Sequence, residues 1–427
     1  MTIKHVDAWQ VFDSRGNPTV EAEVILDDGG VGRAMVPSGA STGSHEAWEL
    51  RDHDQNRFGG KSVHRAVDNI RREIAPALKG YDVFDQAAID AQLIELDGTA
   101  NKSRLGANAI LGVSMACCVA AANSRRQPLF EYLGQGHGTL LPLPEIQIIG
   151  GGVHASRVID LQDFMIIAIG AKNYAETLEI TSNVYHAAGN LLRESNRLVG
   201  VADEGGFWPV VTSNEAVIEF VQRAIERAGY VPGVDVALSL DVAATELFRD
   251  GKYHFPSEGR SFSTDEFIKL ILEWVRDYPI ISIEDPLAED DWQGWQRITA
   301  AIGSKVQLIG DDLFTTNLQR IERGISLDAA NAVLIKLNQV GTVSETIASI
   351  RRTQEAGWLP IVSARSGETE DTFIAHLAVA QNTGQLKVGS FSRSERMAKW
   401  NELLRIERLL GDRARFVGSE IFRRSRP

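Results

Sequence analysis

The sequence predicts an α/β protein in which an N-terminal α+β domain, a β-meander plus helices, precedes a (β/α)8 TIM-like barrel. Three observations carry this reading. Beyond residue 140, short β-like runs alternate with amphipathic helical segments, the pattern of a parallel sheet. Before it, period-two alternation gives way to apolar positions recurring at three and four. Charged residues also close successive β-like runs: Asp241 follows VALSL, Glu284 follows PIISI, Asp311 follows QLIG, Lys336 follows NAVLI, Arg365 follows PIVSA and Lys387 follows GQL. They lie roughly 20 to 45 residues apart, about one βα unit each. In a barrel the C-terminal ends of successive strands converge on one mouth, so six scattered charges become one site.

Taken in order, IKHVDAWQVFD and TVEAEVILDD alternate as antiparallel strands, with DSRGNP and DDGGVG supplying turn residues. From about residue 62 to 134 the pattern is helical, through KSVHRAVDNIRREIAPAL, FDQAAIDAQLIELD and NAILGVSMACCVAAANS. The Pro-rich LLPLPEIQ at 140 to 147 marks a break, because proline disfavours helix and lacks a ladder donor. It divides the chain into a domain over residues 1–139 and a catalytic barrel over 140–427. Helices are then expected at SNEAVIEFVQRAIERAG, STDEFIKLILEWVRDY, GWQRITAAIG, TVSETIASIRRTQEAG and DTFIAHLAVAQNTG. This length suits a barrel better than the alternative, an open doubly wound sheet.

A chain of 427 residues with 44% apolar and 24% charged residues can bury large cores, which excludes a disordered protein. The net charge of -13 opposes non-specific binding to nucleic acid. The longest apolar stretch, Leu111 to Ala122, is too short to cross a bilayer and reads as a buried helix, and the N-terminus lacks the order of a signal peptide. A cytoplasmic protein without membrane or nucleic-acid partners is expected. Cys117 and Cys118, the only cysteines, read as small buried hydrophobes.

Asp241, Glu284 and Asp311 are hard oxygen donors. Carboxylates converging in a mouth repel unless a cation neutralises them, and oxygen-only ligation suits Mg²⁺. Singly, each would be a cap or a surface ion pair. Lys336 and Lys387 are expected to face that metal, where cations and desolvation depress a lysine pKa and make a general base near neutral pH. Glu204, in the Gly-rich loop VADEGGFWP, is a candidate general acid across the substrate, assisted by Asp163 of DLQDFMI. VPSGASTG at 36 to 43 has the composition of a mobile loop that wraps a phosphate or closes a site, and Arg365 and Ser366 of ARSG could grip phosphate oxygens. Together they suggest a phosphorylated acid.

The chain closely resembles the enolases, phosphopyruvate hydratases, nearly end to end. The match runs through DSRGNPTVE, VPSGASTG, HEAWELRD, LGANAILGVSMA, DEGGF, SIEDPLAEDDW, GDDLFTTN, KLNQVGT, RSGETEDT and RSERMAKWNELLRIE. The resemblance implies an α+β domain on an enolase-type barrel, usually dimeric, with Arg15 and Glu21 near the segment that often forms the interface. It implies that Asp241, Glu284 and Asp311 ligate a first Mg²⁺ and Ser41, with substrate phosphate, a second. It also casts Lys336 as the base, Lys387 as holder of the substrate carboxylate, Glu204 with Asp163 as the acid, His154 of GGGVH as an active-site histidine, and Gln162 as a substrate contact.

The chain also departs from the family. Ala364 stands where SHRSGETED has histidine, Asp163 where glutamate is usual, and Gln147 and Gly150 where NIINGG has asparagines, while DEGGFAPN has become DEGGFWPV. Three readings follow. The first is an enolase that dehydrates 2-phosphoglycerate to phosphoenolpyruvate. The second is a paralogue acting on an enlarged analogue, in the manner of carboxyphosphonoenolpyruvate synthase. The third is a non-catalytic binding protein, which should have lost the carboxylates and lysines that cost stability without a ligand.

Overall fold

The computed structural model describes residues 1–40, 43–211 and 213–424. The chain opens with an antiparallel meander, β1 Ile3–Phe12, β2 Pro18–Leu26 and β3 Val31–Met35, in the order β1-β2-β3. Its buried face holds Val20, Ala22 and Val24. Against it lies the helix Ala107–Ser124, whose small residues allow close approach: a Cβ on Gly32 would collide with the backbone of Ala116 and Ala120. This helix is longer than the apolar run suggested. It is long and apolar enough to cross a membrane by length and composition alone, yet 83% of it is buried inside the protein, where it packs under the N-terminal meander. Both cysteines lie on it, free and buried, and burial pushes their thiols up.

The barrel strands are β4 Leu143–Gly150, β5 Asp163–Ile167, β8 Ala237–Asp241, β12 Ile280–Glu284, β13 Gln307–Gly310, β14 Ala332–Ile335, β15 Leu359–Ser363 and β16 Gln385–Ser390. They pair in that order and close through β16 on β4, with Gln385 opposite Leu143. A hairpin, β6 Leu198–Val201 and β7 Phe207–Pro209, attaches to β4 outside the closed ring. A small sheet, β9 Phe248–Arg249, β10 Lys252–Phe255 and β11 Arg260–Phe262, packs aromatics on the helix Thr264–Asp277. The fold is therefore the expected barrel, with one difference from uniform (β/α)8 winding. β5 runs antiparallel to both β4 and β8. The Pro-rich stretch read as a break enters directly into β4, where Pro144 pairs opposite Leu386.

The five expected barrel helices form, and four of their starts are capped by side chains that accept orphan N–H groups: Ser213, Asp291 and Thr342 do so, and Ser263 with Glu266 makes a capping box, whereas Thr372 before Phe373–Ala380 makes no such bond. Further helices at Tyr174–Glu194, Leu318–Leu327 and Ser394–Leu410 complete the outer ring.

Candidate active site

The strand ends place the predicted residues around one mouth. Asp241 and Glu284 are the last residues of β8 and β12 and are register partners. Asp311 and Lys336 immediately follow β13 and β14, Arg365 stands two residues past β15, and Lys387 sits inside β16. Because β5 is reversed, its beginning faces the mouth, and Asp163 lies opposite Asp241 with Gln162 just before it. His154 occupies a short 3₁₀ turn after β4, and Glu204 lies in the tight turn joining β6 to β7.

Lys387 is the centre of the charge cluster. Its Nζ donates to Glu284 Oε2 at 2.6 Å and Asp241 Oδ2 at 3.0 Å, and lies 3.8 Å from Asp163 Oδ2. Burial disfavours its charge, but these carboxylates overcome burial and hold its pKa well above the ordinary value. Lys336 donates to Asp311 Oδ2. There too burial is outweighed, and Asp311 raises the lysine pKa. In both cases the carboxylates facing the ammonium favour its charged form. Glu284 is pushed well above the carboxylate range by burial and by Asp241 beside it, whereas Asp311, although buried, is lowered by Lys336. Gln339 Nε2 donates to Asp311 Oδ1 at 2.8 Å and to Glu46 Oε1 at 3.3 Å, tying the mouth to the N-terminal third of the chain.

Opposite stand His154, Asp163 and Glu204. His154 Nδ1 is 3.2 Å from Asp163 Oδ1 and its Nε2 is 3.9 Å from Glu204 Oε1. Burial opposes an imidazolium, but the two carboxylates prevail and raise His154 to about 9. A folded pKa above the ordinary 6.5 stabilises the protein fully below that value, and the contribution disappears as pH rises through about 9. The urea midpoint of the protein should therefore fall between pH 7 and pH 10, and His154→Asn should flatten that fall. An unchanged slope in the variant would refute the assignment.

The third wall is the ARSG loop. Arg365 donates to Glu46 Oε2 at 3.0 Å and Asn338 Oδ1 at 2.8 Å. Ser366 Oγ accepts the Ala40 N–H at 2.7 Å, and the Ser38 and Gly367 backbones pair reciprocally. The loop is clamped from behind by Arg396, fully buried, which donates to the carbonyls of Arg365, Val388 and Ser366. Ala364 is buried and lines the same cleft as His154, Asp163, Lys336 and Lys387. Ser41 lies outside the described residues.

The donor set fits a hard divalent cation. Asp241, Glu284 and Asp311 are buried oxygen donors, and Gln162, whose Nε2 donates to Asp241, keeps a buried Oε1 with no hydrogen-bond partner. The three carboxylates do not close on one point, since Lys387 bridges two and Lys336 engages the third. Asp311 does approach Asp285 and Asp312, but Asp285 uses both oxygens to accept the N–H groups of Asp311 and Asp312, at 3.0 and 2.8 Å. Asp285, Gln339, Glu46, Asn338 and Arg396 carry this geometry without having been singled out in the sequence. Asp285 is buried in a left-handed conformation, φ 39°, within the SIEDPLAEDDW run, where the strand-end reading stops at Glu284.

A capped barrel whose mouth gathers buried carboxylates, two lysines and an arginine is an enzyme site, and comparison with known proteins makes the class a hydro-lyase. Residues 3–133 match the family described as enolase, N-terminal domain, and residues 138–425 match enolase, C-terminal TIM barrel domain. Over 423 residues, 98% of this chain and 97% of the relative, the sequence is 53% identical to "Enolase 1" of Desulfitobacterium hafniense (strain Y51). The chain belongs to the enolase family.

Proposed function

We propose that this protein removes water from 2-phosphoglycerate to give phosphoenolpyruvate, in a Mg²⁺-dependent reaction. The observation that carries the reading is that Lys336 and Lys387, both within the carboxylate cluster, line one cleft together with Glu204, Asp163 and His154. Lys336 takes the proton α to the carboxylate. The β-hydroxyl leaves as water with a proton from Glu204, so that one proton is removed and one supplied. Asp163 and His154 orient that acid, Lys387 and Gln162 hold the substrate carboxylate, and Arg365 and Ser366 hold the phosphate. Asp241, Glu284 and Asp311 would hold one Mg²⁺, and Ser41 would contribute to a second. The bound ions supply the positive charge that a doubly charged carboxylate needs as the proton leaves. Residues 1–139 cap the mouth of the barrel formed by 140–427, a reading supported by the Glu46, Arg15 and Ala40 contacts to its loops. A cytoplasmic homodimer completes the proposal, and sedimentation as a monomer would count against the dimer.

Ala364 favours a second reading, an enlarged analogue of 2-phosphoglycerate, because it leaves open volume beside Arg365 in the cleft. Absorbance of phosphoenolpyruvate formed from 2-phosphoglycerate with saturating Mg²⁺ separates the two. The first reading expects turnover of about 10 s⁻¹ or more in the native enzyme, an ordinary enzyme rate. Negligible turnover that rises in Ala364→His would select the second.

A further inference from the structure

Three departures noted separately in the sequence meet at one place. Gln147 is fully buried on β4. Its Nε2 donates to Asp163 Oδ1, and its Oε1 accepts the Gly206 N–H at 2.8 Å. Gly206 closes the turn that carries Glu204, accepting the Ala202 N–H at 2.8 Å, and a Cβ on it would collide with the Gln147 amide. Gly150, the register partner of Asp163, is confined by the same parts: a Cβ there would lie 2.5 Å from Ala202 Cβ and 3.4 Å from Gln147 Nε2. One amide thus touches both the carboxylate on β5 and the backbone beneath Glu204.

We propose that Gln147, Gly150 and Asp163 form one length-matched unit, in which Gln147 is a positioning residue that sets the separation between the Asp163 carboxylate and the Glu204 turn. The roles it positions rest on the function proposed above. An asparagine at 147 is shorter by one methylene, about 1.5 Å, and cannot engage Asp163 and Gly206 together. A glutamate at 163 is longer by the same amount and drives its carboxylate into the Gln147 amide or past His154. Changing both restores the summed length between β4 and the residue 163 carboxylate, so that contact is regained and only the Gly206 N–H contact stays weakened.

The test uses the full-length enzyme with Mg²⁺ and 2-phosphoglycerate, comparing Gln147→Asn, Asp163→Glu and the double variant. Each single change should lower kcat about 100-fold, the scale of an ångström-sized misplacement, while KM stays within about three-fold. The double variant should recover to within about ten-fold of the native kcat, because residues in contact are not additive. Urea midpoints give a readout independent of turnover: each single variant should be lower than native, and the double should lie above both. If the native enzyme does not turn over 2-phosphoglycerate, the proposed function fails and the midpoints still judge the unit. A double variant whose kcat loss is the product of the single losses, or whose midpoint lies below both, overturns it.

Discussion

Replacing Lys336 with alanine should lower kcat for phosphoenolpyruvate formation about a thousand-fold, within the range of a lost general base, with little change in KM. The expectation rests on where the ammonium is held. Lys336 follows β14 directly, its side chain is 12% exposed, and it is anchored on Asp311, which Gln339 fixes from the other side. Asp311 raises the lysine pKa, so engagement of that carboxylate by a cation removes the partner that retains the proton. Arginine at 336 should not rescue, because a guanidinium keeps its proton. Exchange of the substrate α-hydrogen with solvent deuterium separates the roles: it should vanish in Lys336→Ala and persist in Glu204→Gln, which loses elimination. Persistent exchange in the lysine variant would exclude Lys336 as the base.

Lys387→Met should produce the largest stability effect. Its ammonium, within a side chain only 6% exposed, serves Glu284, Asp241 and Asp163, all buried. Removing one partner of a buried ion pair typically costs about 3 to 5 kcal/mol, since the remaining charges keep their desolvation penalty. Urea unfolding in chelator should show a loss of that size. Added Mg²⁺ should then stabilise the variant more than the native protein, because an ion at Asp241 and Glu284 replaces the missing positive charge. A variant as stable as the native protein in chelator would mean that the carboxylates are neutral without Lys387.

Much of the architecture was legible because the barrel repeats a local rule. Buried β-like runs ending in a charge found Asp241, Glu284, Asp311, Lys336 and Arg365 at or just beyond their strands. Strand direction was not legible, because DFMII is buried throughout and reads the same either way. Its reversal brings Asp163 and Gln162 to the mouth from a strand beginning. Arg396 and Lys399 were hidden for a different reason. Both are fully buried on the helix Ser394–Leu410, where charges at core positions mask the helical stripe; their partners are the Val388 carbonyl on β16 and, on a loop some 30 residues earlier, carbonyls and Glu368. The departures at 147, 150 and 163 were each visible, but their coupling was not, since β4, β5 and the Glu204 turn meet only in three dimensions.

The reversed β5 also limits how this catalytic face can be exchanged. In a uniform barrel each mouth loop leads from a strand into its helix, so loops can be transplanted between scaffolds one βα unit at a time. Here residues 151–162 link two hydrogen-bonded antiparallel neighbours, and the Gly151 N–H donates to the Gln162 carbonyl across that link at 2.8 Å. This segment carries His154 and delivers Gln162 and Asp163, and it is stitched to β4 on one side and, through the Gln162 N–H on the Asp241 carbonyl, to β8 on the other. A graft of this wall into another barrel must carry β4, β5 and β8 together, or it will arrive with its histidine and without the register that aims it.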